Sequence, residues 1–149
     1  MSGVKLTDIV EKMNLKNLTP EVDITEREVL VPDVNRPALQ LAGFFDHFDL
    51  NRVQIIGNVE CAYLETLTEE RRLEIYQKLL EHKVPCIIFS NELQPDESFL
   101  ELAEKNDIPV FGTCKKTSSF MGELIRWLNV KLAPCISIHG VLVDVYGVG

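Results

Sequence analysis

The sequence has a shortage of basic residues and no long apolar run, and both absences exclude classes of function. Lys and Arg number 15 against 23 Asp and Glu, which gives a formal net charge of −8. Such a chain lacks the positive field that attracts nucleic-acid phosphates or an anionic membrane surface. No segment approaches the roughly 20 apolar residues that span a bilayer, and the charged N-terminus does not resemble a secretory signal. We therefore expect no nucleic-acid or membrane partner and a soluble cytoplasmic protein.

The sequence also lacks the cysteine and histidine patterns of metal sites. None of its four cysteines forms a C-x-x-C pair, and no histidine pattern accompanies them. This spacing disfavours a zinc site, and free thiols fit a reducing compartment. No Ser/His/Asp or Cys/His set is suggested by spacing either. Residue chemistry alone therefore defines no complete active site.

What the sequence does contain is a regular alternation of strand and helix signals. From Arg52 onward, the short apolar runs RVQIIG, PCIIFS and IPVFGT alternate with segments of helical periodicity. Short strands that are apolar on both faces are typical of a parallel sheet covered by helices. The sequence predicts an α/β fold with a mainly parallel central sheet flanked by helices.

Before Arg52 the pattern is weaker. Apolar residues from Val4 to Met13 recur at helical spacing and predict an opening amphipathic helix. A β-rich segment over 29–31 precedes Pro32, and a helix is expected to begin near Pro37 and end at Gly43. The residues Asp33, Asn35 and Arg36 crowd a pre-proline turn, where turn chemistry is a sufficient reason for them.

Two helix starts in the sequence combine hydroxyls or amides with free backbone N–H groups. Thr117, Ser118 or Ser119 is expected to cap the last helix, and another helix is expected to start near Asn58. Free N–H groups at a helix start can bind an anion. At the threonine and serines, capping is the simpler explanation.

The C-terminal stretch IHGVLVDVYGVG predicts a strand that is apolar on both faces and runs into glycines. Such a strand usually leads to a hairpin return or a phosphate-binding loop, and neither follows here. We expect residues 1–133 to form an N-terminal α/β domain and residues 134–149 to begin a second domain of a longer protein. His139 heads this strand and can titrate near neutrality. By spacing alone, an ordinary hydrogen-bonded histidine is the more common outcome.

Several stretches together resemble the N-terminal part of the bacterial HPr kinase/phosphorylase. The resemblance rests on their order and spacing over nearly the whole chain. It implies that a glycine-rich phosphate loop, which opens the kinase domain in that family, follows within a few residues of Gly149. It also implies that these 149 residues alone are inactive and carry no cofactor. The stretches are NRPALQLAGFFDHF, RVQIIGNVE, PCIIFS, TSSFMGELIRWLN and LAPCISIHGVLVDVYGVG.

For the parent protein, the resemblance implies phosphorylation of a regulatory serine on the phosphocarrier HPr with ATP or pyrophosphate and magnesium. It implies reversal by phosphorolysis, a role in carbon catabolite control and a homo-oligomer, typically a hexamer. By matching position, His139 corresponds to a histidine of the family's active-site motif. A catalytic role is therefore expected for it in the complete enzyme, where an imidazole can donate a hydrogen bond or move a proton.

The resemblance leaves two accounts of the N-terminal domain open. The domain is either an assembly module, with apolar patches covered by neighbouring subunits or by the catalytic core, or an effector-binding module that holds a phosphate at the helix starts near Asn58 or Thr117. The shortage of clustered basic residues favours assembly. A stand-alone α/β module that senses a phosphorylated metabolite is the alternative from another class. It is less favoured because the C-terminal strand would then lack a partner.

Overall fold

The computed structural model describes residues 3–133, which form seven short strands and six helices. The strands in chain order are β1 (Val4–Lys5), β2 (Lys16–Asn17), β3 (Glu28–Val29), β4 (Val34–Asn35), β5 (Val53–Ile56), β6 (Ile87–Phe89) and β7 (Val110–Gly112). The helices are α1 (Leu6–Met13), α2 (Ala38–Leu41), α3 (Asn58–Glu65), α4 (Glu69–Leu80), α5 (Glu97–Lys105) and α6 (Thr117–Leu132).

Five of the strands form one sheet in the order β2-β7-β6-β5-β4. Strands β4 to β7 are parallel, with Ile55 opposite Ile88 and Ile88 opposite Phe111, and β2 pairs antiparallel with β7 at one edge. Strands β1 and β3 form a separate antiparallel pair. This arrangement confirms the predicted α/β fold with a mainly parallel central sheet.

Apolar clusters cover both faces of the sheet, and the alternation of side chains along each strand decides which cluster a residue joins. On one face, Ile55 and Phe111 pack with α1 and α6. On the other, Ile56 and Val110 pack with α3, α4 and α5. Burial of each such side chain contributes about 1.5–3 kcal/mol, so the two clusters hold the helices on the sheet.

The strands and helices predicted between Arg52 and Ala133 are confirmed. All four residues of β5 and all three of β6 are buried, as expected for strands covered on both faces. Thr68 is the N-cap of α4, and its Oγ1 accepts a hydrogen bond from the backbone N–H of Arg71 at 3.1 Å. The hydrophobic pattern therefore sufficed to identify the strands and helices of this part of the chain.

The region before Arg52 differs from the prediction in three places. Val4 lies in β1, because pairing with β3 overrides its helical spacing. The strand predicted over 29–31 is β3, which ends at Val29, and Leu30 is exposed. Helix α2 has only four residues, and Gly43 follows it with a φ of 101°, the left-handed conformation that glycine tolerates best.

Residues 134–149 lie outside the described part of the chain, and with them the predicted C-terminal strand, the domain boundary and His139. These stay predictions. Among residues 3–133, no helix is both long and apolar enough to cross a membrane.

Candidate functional site

Polar residues follow the carboxyl ends of three neighbouring parallel strands. Arg36 comes directly after β4, Gly57 after β5 and Ser90 after β6. Helix α3 begins at this edge, and the start of α6 reaches it from the opposite face of the sheet. Ligands of α/β proteins bind outside the carboxyl ends of the strands. This edge is therefore the first place to look for a functional site.

A buried carboxylate lies at the start of α3. Glu60 is only 3% exposed, and its Oε1 accepts hydrogen bonds from Arg36 Nη2 at 2.6 Å and from the backbone N–H of Gly57 at 2.8 Å. The negative charge also interacts favourably with the helix N-terminus. The carboxylate of Glu60 thus neutralises Arg36 and accepts the Gly57 N–H at this helix start.

The hydroxyl of Thr117 is likewise held by hydrogen bonds within the chain, at the start of α6. Its Oγ1 accepts a hydrogen bond from Asn91 Nδ2 at 2.9 Å and is hydrogen-bonded to Ser90 Oγ at 2.6 Å. The predicted capping role is wrong, because the N-cap residue is Lys116 and the structure shows no side-chain cap there. Ser118 and Ser119 are exposed in the first turn. The threonine connects α6 to β6 instead of capping its own helix.

Gly57 brings the two helix starts together. A Cβ atom at this position would lie 2.7 Å from Thr117 Oγ1 and 2.9 Å from Arg36 Nη2, closer than side-chain carbons are found. The sequence-predicted anion sites at Asn58 and Thr117 are therefore neighbours, and the chain's own polar side chains fill the space between them. The arrangement forms a polar clamp, defined here as Arg36, Gly57, Glu60, Ser90, Asn91 and Thr117.

Two basic residues near this edge are paired. Lys115, in the loop after β7, lies 2.7 Å from Glu123 on α6, and its hydrogen bond lowers the pKa of that carboxyl. Arg36 is held by Glu60, although its Nε is buried without a hydrogen-bond partner among the described residues. The polar clamp consequently combines paired charges and hydrogen-bonded hydroxyls, an arrangement that holds strands and helices in register.

An apolar cavity lies at the same edge on the face covered by α3, α4 and α5. Its volume is about 100 Å³. Tyr76 donates a hydrogen bond to Asp96 Oδ2 at 2.5 Å, and the pKa of the tyrosine is raised by burial and then by that bond. The walls are Leu41, Ile56, Cys61, Leu64, Glu65, Arg72, Tyr76, Phe89, Leu93, Gln94, Pro95, Asp96 and Phe99.

The cysteine in this cavity is not an activated nucleophile. Burial raises the pKa of Cys61 to about 11, and the carboxylates of Glu60, Glu65 and Asp96 add to the effect. A reactive cysteine needs the opposite environment, with positive charge nearby and a lowered pKa. The cavity can accept an apolar group, but its thiol stays protonated at neutral pH.

Sequence reasoning missed the role of Arg36 and assigned it to turn chemistry. It also missed Glu60, although a glutamate three residues after the N-cap residue is half of a capping-box pattern. Asn35 likewise does more than shape a turn, because its Nδ2 donates to Gln54 Oε1 at 2.7 Å. Among residues 3–133, no group of three His, Cys, Asp or Glu side chains is arranged to hold a metal ion.

One solved structure with a similar fold contains the CBS and DRTGG domains of the regulatory region of a Clostridium perfringens pyrophosphatase, complexed with diadenosine tetraphosphate. The alignment has a TM-score of 0.58 and 21% sequence identity, and it covers 84% of this chain and 47% of that one. At this identity the similarity extends to the fold alone.

Curated relatives are much more similar in sequence. The HPr kinase/phosphorylase of Lachnoclostridium phytofermentans is 58% identical over 149 residues, which is all of this chain and 48% of that protein. The HPr kinase/phosphorylase of Caldicellulosiruptor bescii is 44% identical over 141 residues, and that of Bacillus subtilis is 35% identical over 149. The chain spans about half the length of the curated relatives it matches.

The family model described as HPr Serine kinase N terminus matches residues 4–128, a range that contains the whole sheet and the polar clamp. This match and the relatives agree with each other over nearly the full chain. The chain therefore belongs to the HPr serine kinase N-terminus family.

Proposed function

We propose that the chain is the N-terminal part of a bifunctional HPr kinase/phosphorylase and acts there as an assembly or regulatory domain. The observation that carries the proposal is the 58% identity, over all 149 residues, with a relative of that name. The complete cytoplasmic protein would phosphorylate a regulatory serine of HPr with ATP or pyrophosphate and reverse the modification by phosphorolysis, in carbon catabolite control.

The described residues do not fit ATP and magnesium. Near the two helix starts that could bind phosphate, Arg36 is already paired with Glu60, and Thr117 is hydrogen-bonded to Ser90. The carboxylates at this edge belong to hydrogen-bonded pairs and not to a cluster of metal ligands. We therefore assign nucleotide and metal binding to the segment expected after Gly149, and a catalytic role in proton transfer to His139.

The polar clamp favours assembly over effector binding. A phosphate that bound Arg36 at the start of α3 would have to displace a carboxylate that is almost fully buried and bonded to this arginine. Exposed apolar side chains support the same choice. Leu39 on α2 is 62% exposed, and Val59 on α3 is 70% exposed, with Tyr63 one turn further on. We propose that neighbouring subunits or domains cover these side chains in a hexamer of the parent.

The proposal is tested first in the gene. Roughly thirty nucleotides after the Gly149 codon should encode the start of a phosphate loop of the GxxxxGK[ST] type. The expressed full-length protein should then transfer phosphate from ATP or pyrophosphate to HPr in the presence of magnesium, whereas residues 1–149 alone should not. A stop codon directly after Gly149 would leave a stand-alone module and overturn the kinase assignment.

The role of His139 is tested in the full-length protein. We expect His139→Ala to lower both phosphorylation and phosphorolysis by about 10²–10⁴, the range for loss of an acid–base group. The matched control is His47→Ala, which removes an exposed histidine that is not part of the polar clamp. If the two variants have equal rates of phosphorylation and of phosphorolysis, His139 has no catalytic role.

A ligand titration distinguishes the effector account from the assembly account. Titration of the labelled chain with fructose 1,6-bisphosphate or inorganic phosphate should leave the NMR signals of Asn58 and of 117–120 unchanged if the domain serves assembly. Saturable shifts there at sub-millimolar ligand, abolished by Arg36→Ala, would show that Glu60 can be displaced. The domain would then be an effector site.

A further inference from the structure

The apolar cavity has an acidic neighbour. A shallow depression of about 310 Å³ lies beside it, and the two share Arg72 and Asp96 as a common wall. Arg72 Nε lies 3.6 Å from Asp96 Oδ2, so the guanidinium charge is largely compensated by that carboxylate. The depression is lined by Glu69, Arg72, Leu73, Asp96, Glu97 and Ser98.

Together the cavity and the depression join an apolar pocket to a negative surface. Four carboxylates, those of Glu65, Glu69, Asp96 and Glu97, face the single guanidinium. A group that fills the cavity therefore approaches through an excess of negative charge. A positive charge attached to that group would be attracted, whereas a negative charge would be repelled.

We propose that this two-part site binds a segment of another protein that carries one aliphatic or methionine side chain next to Lys or Arg. The proposal concerns an interaction site, and it does not depend on the kinase activity of the parent. The apolar side chain enters the cavity between α3, α4 and α5, and the flanking cation lies over the acidic depression.

The size of the cavity supports a side chain as its occupant. Its 100 Å³ are about two thirds of the roughly 150 Å³ cavity that binds a benzene molecule in an engineered protein. One branched aliphatic group fits, but so small a contact gives little affinity alone. The adjacent depression supplies a second contact, and a protein segment places an apolar and a basic side chain at neighbouring positions.

Charge argues against two other occupants of this site, residues 134–149 of the same chain and a second copy of the chain. Residues 134–149 contain Asp144 and neither Lys nor Arg, so they lack the required cation. Helix α6, which precedes them, packs on the opposite face of the sheet. A second copy carries a net charge of −8, which disfavours its approach to these four carboxylates, so the subunit contacts of the proposed hexamer are expected on another surface. The site consequently suits a basic segment of a different protein.

The test is an NMR titration of the isotope-labelled 149-residue chain with the acetylated, amidated peptide Gly-Lys-Lys-Leu-Lys-Gly. We expect saturable shifts at Cys61, Leu93 and Phe99 with a dissociation constant of about 1 mM or below. Replacing leucine by serine, or all three lysines by glutamates, should weaken binding at least about tenfold. Raising the salt from 50 to 300 mM should weaken it several-fold, because the charges are exposed.

Two variants locate the site. Cys61→Leu should fill the cavity and abolish the shifts. Glu97→Lys leaves the core untouched and should weaken binding at least about threefold, whereas Glu101→Lys, the same change one turn further along α5, should not. Shifts that are absent at about 5 mM peptide, or equal affinity for the glutamate peptide, would overturn the proposal. Saturation by neutral indole without any response to the basic peptide would assign the cavity to a small apolar molecule instead.

Discussion

Replacing Glu60 by alanine tests whether the polar clamp stabilises the domain. The substitution removes the acceptor of two hydrogen bonds, one from Arg36 at 2.6 Å and one from the backbone N–H of Gly57 at 2.8 Å. It leaves that N–H in a buried position without a partner. It also leaves an arginine whose charge was neutralised by a carboxylate that is only 3% exposed.

The expected loss of stability follows from these two consequences. A buried N–H without an acceptor costs about 1–3 kcal/mol. Breaking a fully buried ion pair costs about 3–5 kcal/mol, but the arginine is 32% exposed and can regain water, so only part of this cost applies. We expect a decrease of about 3 kcal/mol in the free energy of unfolding. At about 2–4 °C per kcal/mol for a domain of this size, the midpoint of thermal unfolding should fall by about 10 °C.

Urea denaturation followed by far-ultraviolet circular dichroism measures this change, and two variants serve as controls. Glu60→Gln keeps an acceptor for the Gly57 N–H and should lose only about 1 kcal/mol. Glu74→Ala removes a carboxylate from an ion pair with Arg71 in which both side chains are largely exposed, so it should cost less than about 1 kcal/mol. If Glu60→Ala proves no worse than Glu74→Ala, the clamp does not hold the sheet edge and the reasoning fails.

Three further perturbations test other parts of the fold. Gly57→Ala should destabilise the domain by about 1–3 kcal/mol in the same denaturation assay, because the new Cβ would lie 2.7 Å from a threonine hydroxyl. The control Gly122→Ala lies in an open helical position and should stabilise the domain by about 0.5–1 kcal/mol. Thr19→Val should cost about 1–3 kcal/mol, since the buried Oγ1 accepts a hydrogen bond from the first N–H of β7 at 2.9 Å, and Thr19→Ser should retain most of the stability. Iodoacetamide at pH 8, followed by peptide mapping, should modify exposed Cys114 at least about tenfold faster than Cys61, whose pKa is raised to about 11; equal rates would contradict the buried environment of Cys61.

The fold was predictable where local signals and tertiary packing agree. Strand β5 contains Val53, Ile55 and Ile56, and Thr68 is followed by two glutamates in the first turn of α4, so the apolar run and the capping signal indicate the same elements that the structure contains. Val4 shows where this agreement ends. Its spacing matches α1, but a strand partner 25 residues away determines its conformation. Local sequence carries no information about that partner.

The candidate site was predictable only in part, for the same reason. Both helix starts were recognised as potential anion sites, and they do meet at Gly57. The contacts that hold these helix starts join residues 24 to 27 positions apart, such as Arg36 with Glu60 and Ser90 with Thr117. A sequence pattern shows which groups can bind an anion, but it does not show which distant side chains they already contact.

The polar clamp and the cavity differ in how easily each can accept a binding partner. The clamp lies at the carboxyl ends of β4, β5 and β6, where Glu60 is bonded to Arg36 and Ser90 to Thr117, so a ligand that bound there would have to break contacts within the chain. The cavity between α3, α4 and α5 is open beside carboxylates such as Glu97, for which the structure shows no ion pair among residues 3–133. A partner that binds at the cavity displaces no contact of the clamp. We therefore expect protein partners at α4 and α5, with the clamp unchanged in the complex.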